Sequence, residues 1–123
     1  MLGQAERNPR EALVSPEERH ALAAGFKILA DETRLRVLEL LAHGELCVCH
    51  LVEITGLPQG TVSHHLGILR RAGWIRDRRD LKDYRWTYYS LNVDRIAELQ
   101  VLLGRVLDAN TVLAVAPDCS SRE

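Results

Sequence analysis

Glu45-Leu46-Cys47-Val48-Cys49-His50-Leu51 concentrates soft donors: two cysteines one residue apart, with an imidazole beside the second. Thiolates suit thiophilic ions rather than magnesium or calcium. Spacing sets a condition on their use. Side chains two residues apart on a regular α-helix diverge by about 200°, because a turn takes ~3.6 residues. Cys47 and Cys49 can therefore grip one ion only where a helix has not yet begun or its first turn is pulled open. Cys119, close to the end of the chain, offers a third sulfur. A three-sulfur pyramid suits trivalent arsenic or antimony, whose lone pair leaves no fourth bond to make. A nitrogen from His50 would move the preference toward zinc, cadmium or lead. The plainer alternatives are small buried apolar residues for Cys47 and Cys49, an incidental surface thiol for Cys119, and solvated helix residues for His20, His43 and His50.

Two short helices should carry this segment. One runs from about Leu46 to Thr55 and stops at Gly56. After Leu57-Pro58-Gln59-Gly60 the next turns Val62, Leu66 and Leu69 inward and ends near Gly73. Two short helices joined by a glycine-containing turn form a helix-turn-helix, whose second helix lies in the major groove of DNA. The polar side of that second helix presents Gln59, Thr61, Ser63, His64 and Arg70.

Five of the six aromatic residues then fall between Trp74 and Tyr89. Trp74 to Arg79 and Arg85 to Leu91 have strand propensity, and Asp80 to Tyr84 is polar enough for a hairpin tip. A basic hairpin directly after a recognition helix is a wing. Upstream, Ser15-Pro16-Glu17-Glu18 reads as a capped helix start, with Leu22, Phe26 and Leu29 on the buried face. Asp31-Glu32-Thr33-Arg34 starts another helix, with Leu35, Leu38 and Leu41 inward. Asn92 caps a last helix, about Val93 to Leu113, ~30 Å long at 1.5 Å per residue. Its apolar positions cover more than one stripe, so it needs two partners: its own domain and, most simply, the same helix in a second copy.

The expected fold is thus mainly α with a small β-hairpin, a homodimeric winged helix-turn-helix. Residues 1–14 form an arm, 15–113 the DNA-binding and dimerisation domain, and 114–123 a tail holding Cys119. A chain of 123 residues, 46% apolar and 27% charged, supplies one globular domain. No apolar run approaches the ~18 residues of a membrane span, and the first fourteen residues do not read as a secretory signal, so the expected location is cytoplasmic. An odd number of cysteines argues against a disulfide framework. The net charge of −1 conceals a local patch: Gln59 to Ser90 carries +4, including Arg70, Arg78, Arg79, Lys82 and Arg85, and leaves −5 elsewhere.

The chain resembles the ArsR/SmtB family of metal-responsive bacterial repressors from about Ser15 to Leu113. The resemblance is carried by Leu29-Ala30-Asp31-Glu32-Thr33-Arg34-Leu35, Glu45-Leu46-Cys47-Val48-Cys49, Val62-Ser63-His64-His65-Leu66 and the paired wing strands. Glu-Leu-Cys-Val-Cys looks like the arsenical-responsive branch, where the string normally continues with Asp rather than His50. The wing tip is about three residues longer than usual. The resemblance implies a homodimer that represses a resistance operon at an inverted-repeat operator and leaves DNA when arsenite or antimonite binds Cys47, Cys49 and Cys119. Carried over by position, Gln59, Thr61, Ser63 and His64 would contact base edges or phosphates, and Arg78, Arg79, Lys82 and Arg85 would hold the wing to the backbone. Some relatives place metal ligands on the last helix; Val93 to Leu113 has no His or Cys for that purpose.

Rival readings on the same scaffold are a redox or persulfide sensor, with Cys119 linking to Cys47 or Cys49, and a cadmium, lead or zinc sensor. An enzyme built on Ser63-His64-His65 or the cysteines lacks a phosphate cradle and a positioned acid–base pair.

Overall fold

The computed structural model describes residues 10–108. Five helices and three short strands follow in order: α1 (Pro16–Leu29), α2 (Glu32–Leu41), β1 (Leu46–Cys47), α3 (Val48–Thr55), α4 (Gln59–Arg71), β2 (Ile75–Arg79), β3 (Thr87–Leu91) and α5 (Val93–Val106). This is a winged helix-turn-helix, as the sequence led one to expect.

Local chemistry explains the helix starts. Ser15 Oγ accepts the Glu18 N–H at 3.0 Å and Glu18 Oε1 accepts the Ser15 N–H at 2.8 Å, a reciprocal cap on α1. Asp31 accepts the Arg34 N–H at 3.0 Å and caps α2. Gly56, at φ 71°, ends α3 in the left-handed region, a conformation that costs a side chain but not glycine. Thr55 Oγ1 donates to the Leu51 carbonyl at 2.6 Å and accepts the Leu57 N–H at 3.3 Å, which fixes the turn between α3 and α4.

The core gathers one residue or more from each of these elements. Val37, Leu51, Val62, Leu66 and Leu69 are fully enclosed, with Trp74 and Ile75 beside them. Helix α4 is thereby held by its apolar stripe, which leaves its opposite face to solvent. Asn92 secures the far end: its side chain accepts the Arg95 N–H and donates to the Gly73 carbonyl at 2.9 Å, and its own N–H bonds the Trp74 carbonyl. The start of α5 is thus fastened to the turn that follows α4.

Four expectations need correction. The hairpin has a third strand: the antiparallel sheet runs β1-β3-β2, with Leu46 opposite Tyr89 and Cys47 opposite Tyr88. Consequently the helix expected from Leu46 begins only at Val48. Phe26 and Leu35, assigned to inner faces, are 45% and 49% exposed; Leu22 and Leu41 are buried as expected, and Gly25 on α1 and Val37 and Leu40 on α2 join them in the interior. Finally, α5 ends at Val106, where the C-cap residue Leu107 turns extended (φ −123°, ψ 93°). The remainder of the helix expected to Leu113, and the tail with Cys119, lie outside the described residues.

Candidate metal centre and nucleic-acid interface

Cys47 belongs to two elements at once. It is the last residue of β1, paired with Tyr88 on the wing, and the N-cap of α3. Its backbone is extended (φ −88°, ψ 170°), so its side chain escapes the helical divergence from Cys49, one residue inside α3. The two sulfurs converge and are bonded to each other as a disulfide. The odd cysteine count, read as an argument against a disulfide framework, did not anticipate this bond, although a helix start is the site that the spacing required. Cys47 is buried, whereas Cys49 and His50 are exposed. His50 Nδ1 accepts the Cys47 N–H at 3.2 Å and lies 3.3 Å from Cys47 Sγ. The two sulfurs and an imidazole nitrogen lie within 4.8 Å of one another, the group among the described residues best suited to a thiophilic ion.

A cavity of about 520 Å³ opens beside these sulfurs. Its lining includes Val48, Cys49 and Val52, Trp86 and Tyr89 of the wing, and Gln59 at the start of α4. The candidate ion site, the first residue of the recognition helix and the wing therefore meet around one space. Two residues upstream of Cys47, Glu45 accepts two hydrogen bonds of 2.8 Å from Arg78 on β2. Those bonds hold the Glu45 carboxyl below its ordinary range, and Arg78 also stacks over the Tyr88 ring at 4.9 Å. Sequence reasoning missed the pairing of Glu45 with Arg78, and Tyr88 and Trp86 as neighbours of the site. Opposite charge at Glu45 and Arg78 was the available signal, but nothing in the spacing revealed that β1 joins the wing.

On the polar face of α4, Gln59, Thr61, Ser63, His64 and Arg70 are all exposed. Their neighbour His65 points inward instead: its Nδ1 lies 3.4 Å from Arg34 Nη1 and 4.0 Å from Asp31 Oδ1. Arg34 also donates to the Ile28 carbonyl at 2.6 Å, so this polar cluster ties α4 to the junction of α1 and α2. The backbone hydrogen bond from Arg34 is the largest influence holding the Asp31 carboxyl below its usual range. On the wing, Arg79, Lys82 and Arg85 are exposed, with Arg85 paired to Asp83 at 2.8 Å. Arg78, expected on the DNA backbone, is directed toward Glu45. Asp80 accepts the Lys82 N–H, Asp83 accepts the Arg85 N–H, and the Asp80 N–H bonds the Trp86 carbonyl, which shapes the long tip.

No helix among the described residues is long and apolar enough to cross a membrane.

Residues 31–77 match the family described as bacterial regulatory protein, arsR family. The chain is 44% identical over 86 residues to the arsenic resistance transcriptional regulator ArsR1 of Pseudomonas putida, an alignment covering 69% of this chain and 65% of the relative. It is 41% identical over 97 residues to a probable mercury resistance operon repressor of Streptomyces lividans, covering 79% of this chain and 73% of the relative. Among solved structures, HlyU from Vibrio cholerae superposes with a TM-score of 0.61 at 28% identity, covering 72% of this chain and 95% of that one.

Proposed function

The chain belongs to the ArsR family and is a DNA-binding transcriptional regulator, not an enzyme; from that premise we propose that it is a homodimeric repressor that leaves its operator when trivalent arsenic or antimony binds Cys47 and Cys49. The observation that carries this reading is the double membership of Cys47 in β1 and at the head of α3. An ion that pulls on Cys47 acts on the wing through Tyr88 and on the recognition helix through α3.

The reaction is a condensation on the reduced chain. Arsenite, As(OH)₃, forms one bond to each sulfur while two waters leave with the two thiol protons. Cys119, if it reaches the site, displaces the last hydroxyl in the same way. Closing this chelate holds both sulfurs at distances set by arsenic, which displaces the strand–helix junction. Coupling of ~1–3 kcal/mol, roughly 5- to 150-fold in operator affinity, is sufficient for a regulator of this kind.

Gln59, Thr61, Ser63 and His64 serve the major groove, with Arg70, Arg79, Lys82 and Arg85 on phosphates; Arg78 joins them only by releasing Glu45. The apolar side chains left outside on α1 and α5, among them Phe26, Val101 and Val106, support a second copy packed there. Two copies related by a two-fold axis suit an inverted repeat with half-sites about one helical turn, or a small multiple, apart.

A second reading is favoured by the bond between the sulfurs: oxidation of the dithiol is itself the signal, and reduction resets it. The deciding experiment titrates reduced protein on fluorescent operator DNA with arsenite, antimonite, cadmium, mercury and, separately, a disulfide oxidant. Release by the trivalent ions at stoichiometric concentration supports the main reading. Release by the oxidant alone supports the second and overturns the first.

A further inference from the structure

Leu81 is the most exposed of the large apolar side chains among the described residues, at 84%. A single surface leucine calls for no explanation of its own; the way this one is held does. Strand β2 leaves the core at the buried Ile75, and its next four residues run out into solvent. Six positions separate Ile75 from Leu81, so at ~3.3 Å per extended residue the tip can stand up to about 20 Å from the core. Hydrogen bonds brace it there. Asp80 Oδ1 accepts the Lys82 N–H at 2.9 Å and Asp83 Oδ1 accepts the Arg85 N–H at 3.1 Å. Across the base of the tip, the Asp80 N–H bonds the Trp86 carbonyl at 2.9 Å and the Trp86 N–H bonds the Asp83 carbonyl at 3.1 Å.

Both aspartates of the tip are thus engaged within it, Asp83 also by the Arg85 guanidinium at 2.8 Å. Arg79 and Lys82 stand exposed close to Leu81 along the chain. An apolar side chain on a braced tip among cations fits the minor groove of a duplex. Phosphates line both edges of that groove, and its floor of stacked bases offers apolar surface once a step is parted. We propose that Leu81 is a wedge that enters the minor groove beside each half-site and parts one base step, so that the wing reads how easily the operator deforms.

This inference rests on α4 lying in the major groove, and it differs in kind from the contacts of the wing's cations. Cations on phosphates fix position and hold any sequence alike. A wedge discriminates, because an A-tract is stiff whereas TA and CA/TG steps unstack readily. Leu81 therefore creates a sequence preference at a step where no hydrogen bond reads a base.

The test uses the full reduced chain on the duplex it selects from a randomised pool. Dyes at the two ends report bending, and 2-aminopurine at successive positions reports unstacking. Wild type should bend the duplex by at least roughly 20°, the lower end for inserted wedges, and raise 2-aminopurine fluorescence at one step beside each half-site. Leu81→Ala should abolish both signals and weaken binding roughly 5- to 30-fold, part of what burying a leucine is worth. Its slope of log affinity against log salt should stay unchanged, since no phosphate contact is lost. Leu81→Met should keep the bend. Replacing the parted step with an A-tract should weaken wild type but not Leu81→Ala.

A straight operator, an unaltered 2-aminopurine signal, or a Leu81→Ala protein that bends DNA as wild type does overturns the wedge. A shallower salt slope in Leu81→Ala also overturns it, because the side chain would then only position the cations. Protection of guanine N7, an atom of the major groove, separates the wedge from the reading beneath it. Protection by wild type without a bend overturns the wedge alone, whereas absence of protection overturns the placement of α4 and the wedge with it.

Discussion

Glu45 and Arg78 meet side by side, Nε to Oε2 and Nη2 to Oε1, both at 2.8 Å. Paired geometry of this kind fixes orientation as well as distance. It joins the segment entering the thiol site to the second strand of the wing, alongside the β1–β3 ladder. Two connections in parallel mean that a shift at Cys47 is passed to the wing rather than absorbed in a loop.

Glu45→Gln should therefore uncouple more than it destabilises, since an exposed ion pair adds little to folding. We expect a nearly unchanged melting temperature but a several-fold smaller ratio of operator affinities without and with arsenite. The pH dependence has a definite sign. The folded pKa of Glu45 lies below its ordinary 4.5, so the bridge contributes above that value and is lost as pH falls through the folded one. Any stability difference between wild type and Glu45→Gln, followed by chemical denaturation, should shrink as pH drops through that window.

The turn of the helix-turn-helix supplies a cleaner stability test. A Cβ on Gly56 would meet no atom within 4 Å, so substitution is costly only through its φ of 71°. Gly56→Ala should cost about 1–2 kcal/mol, the penalty for a left-handed L-residue. Gly60→Ala, equally open but within α4, should gain roughly 0.5–1 kcal/mol by helix propensity. Thermal melts of the pair should move in opposite directions.

How far the sequence could be read follows from the range of each interaction. The caps at Ser15 and Asp31, the stop at Gly56 and the inward stripe Val62, Leu66 and Leu69 are local, and each was legible. Strand β1 was not, since two residues carry no periodicity and its pairing depends on Tyr88 and Tyr89 about forty positions away. Phe26 and Leu35 show the limit of helical periodicity, which marks an apolar face without saying what covers it. Arg78 illustrates the same for charge: composition placed it in a basic wing, but only the fold reveals Glu45 beside it. Convergence of Cys47 and Cys49 followed from placing them at a helix start; their bond to each other did not.

Salt dependence separates positioning from reading on the DNA face. Arg79→Ala or Lys82→Ala should weaken every operator sequence alike and lower the slope of log affinity against log salt by about 0.9 for each phosphate no longer neutralised. Gln59→Ala or Ser63→Ala should instead relax preference at particular base pairs, each well-formed base contact discriminating by ~1–3 kcal/mol. Binding measured over a salt series on operator and scrambled duplexes distinguishes the two patterns.

Phe26→Glu tests the second copy. Its ring is 45% exposed on the outer side of α1, beside a groove bounded by Leu22, Leu29, Ile96 and Leu103. Charge there should leave the monomer folded by circular dichroism, convert the dimer to monomer in sedimentation, and weaken binding to a two-half-site operator far more than to a single half-site.

The central claim is that an ion on the two sulfurs moves the junction shared by wing and reading helix. Its most direct measurement is the operator dissociation constant of reduced wild type and of Cys47→Ser, each with and without saturating arsenite. The account predicts that wild-type affinity falls roughly 5- to 150-fold on arsenite addition, while Cys47→Ser binds the operator normally and does not respond. A Cys47→Ser protein released by arsenite as readily as wild type would contradict it.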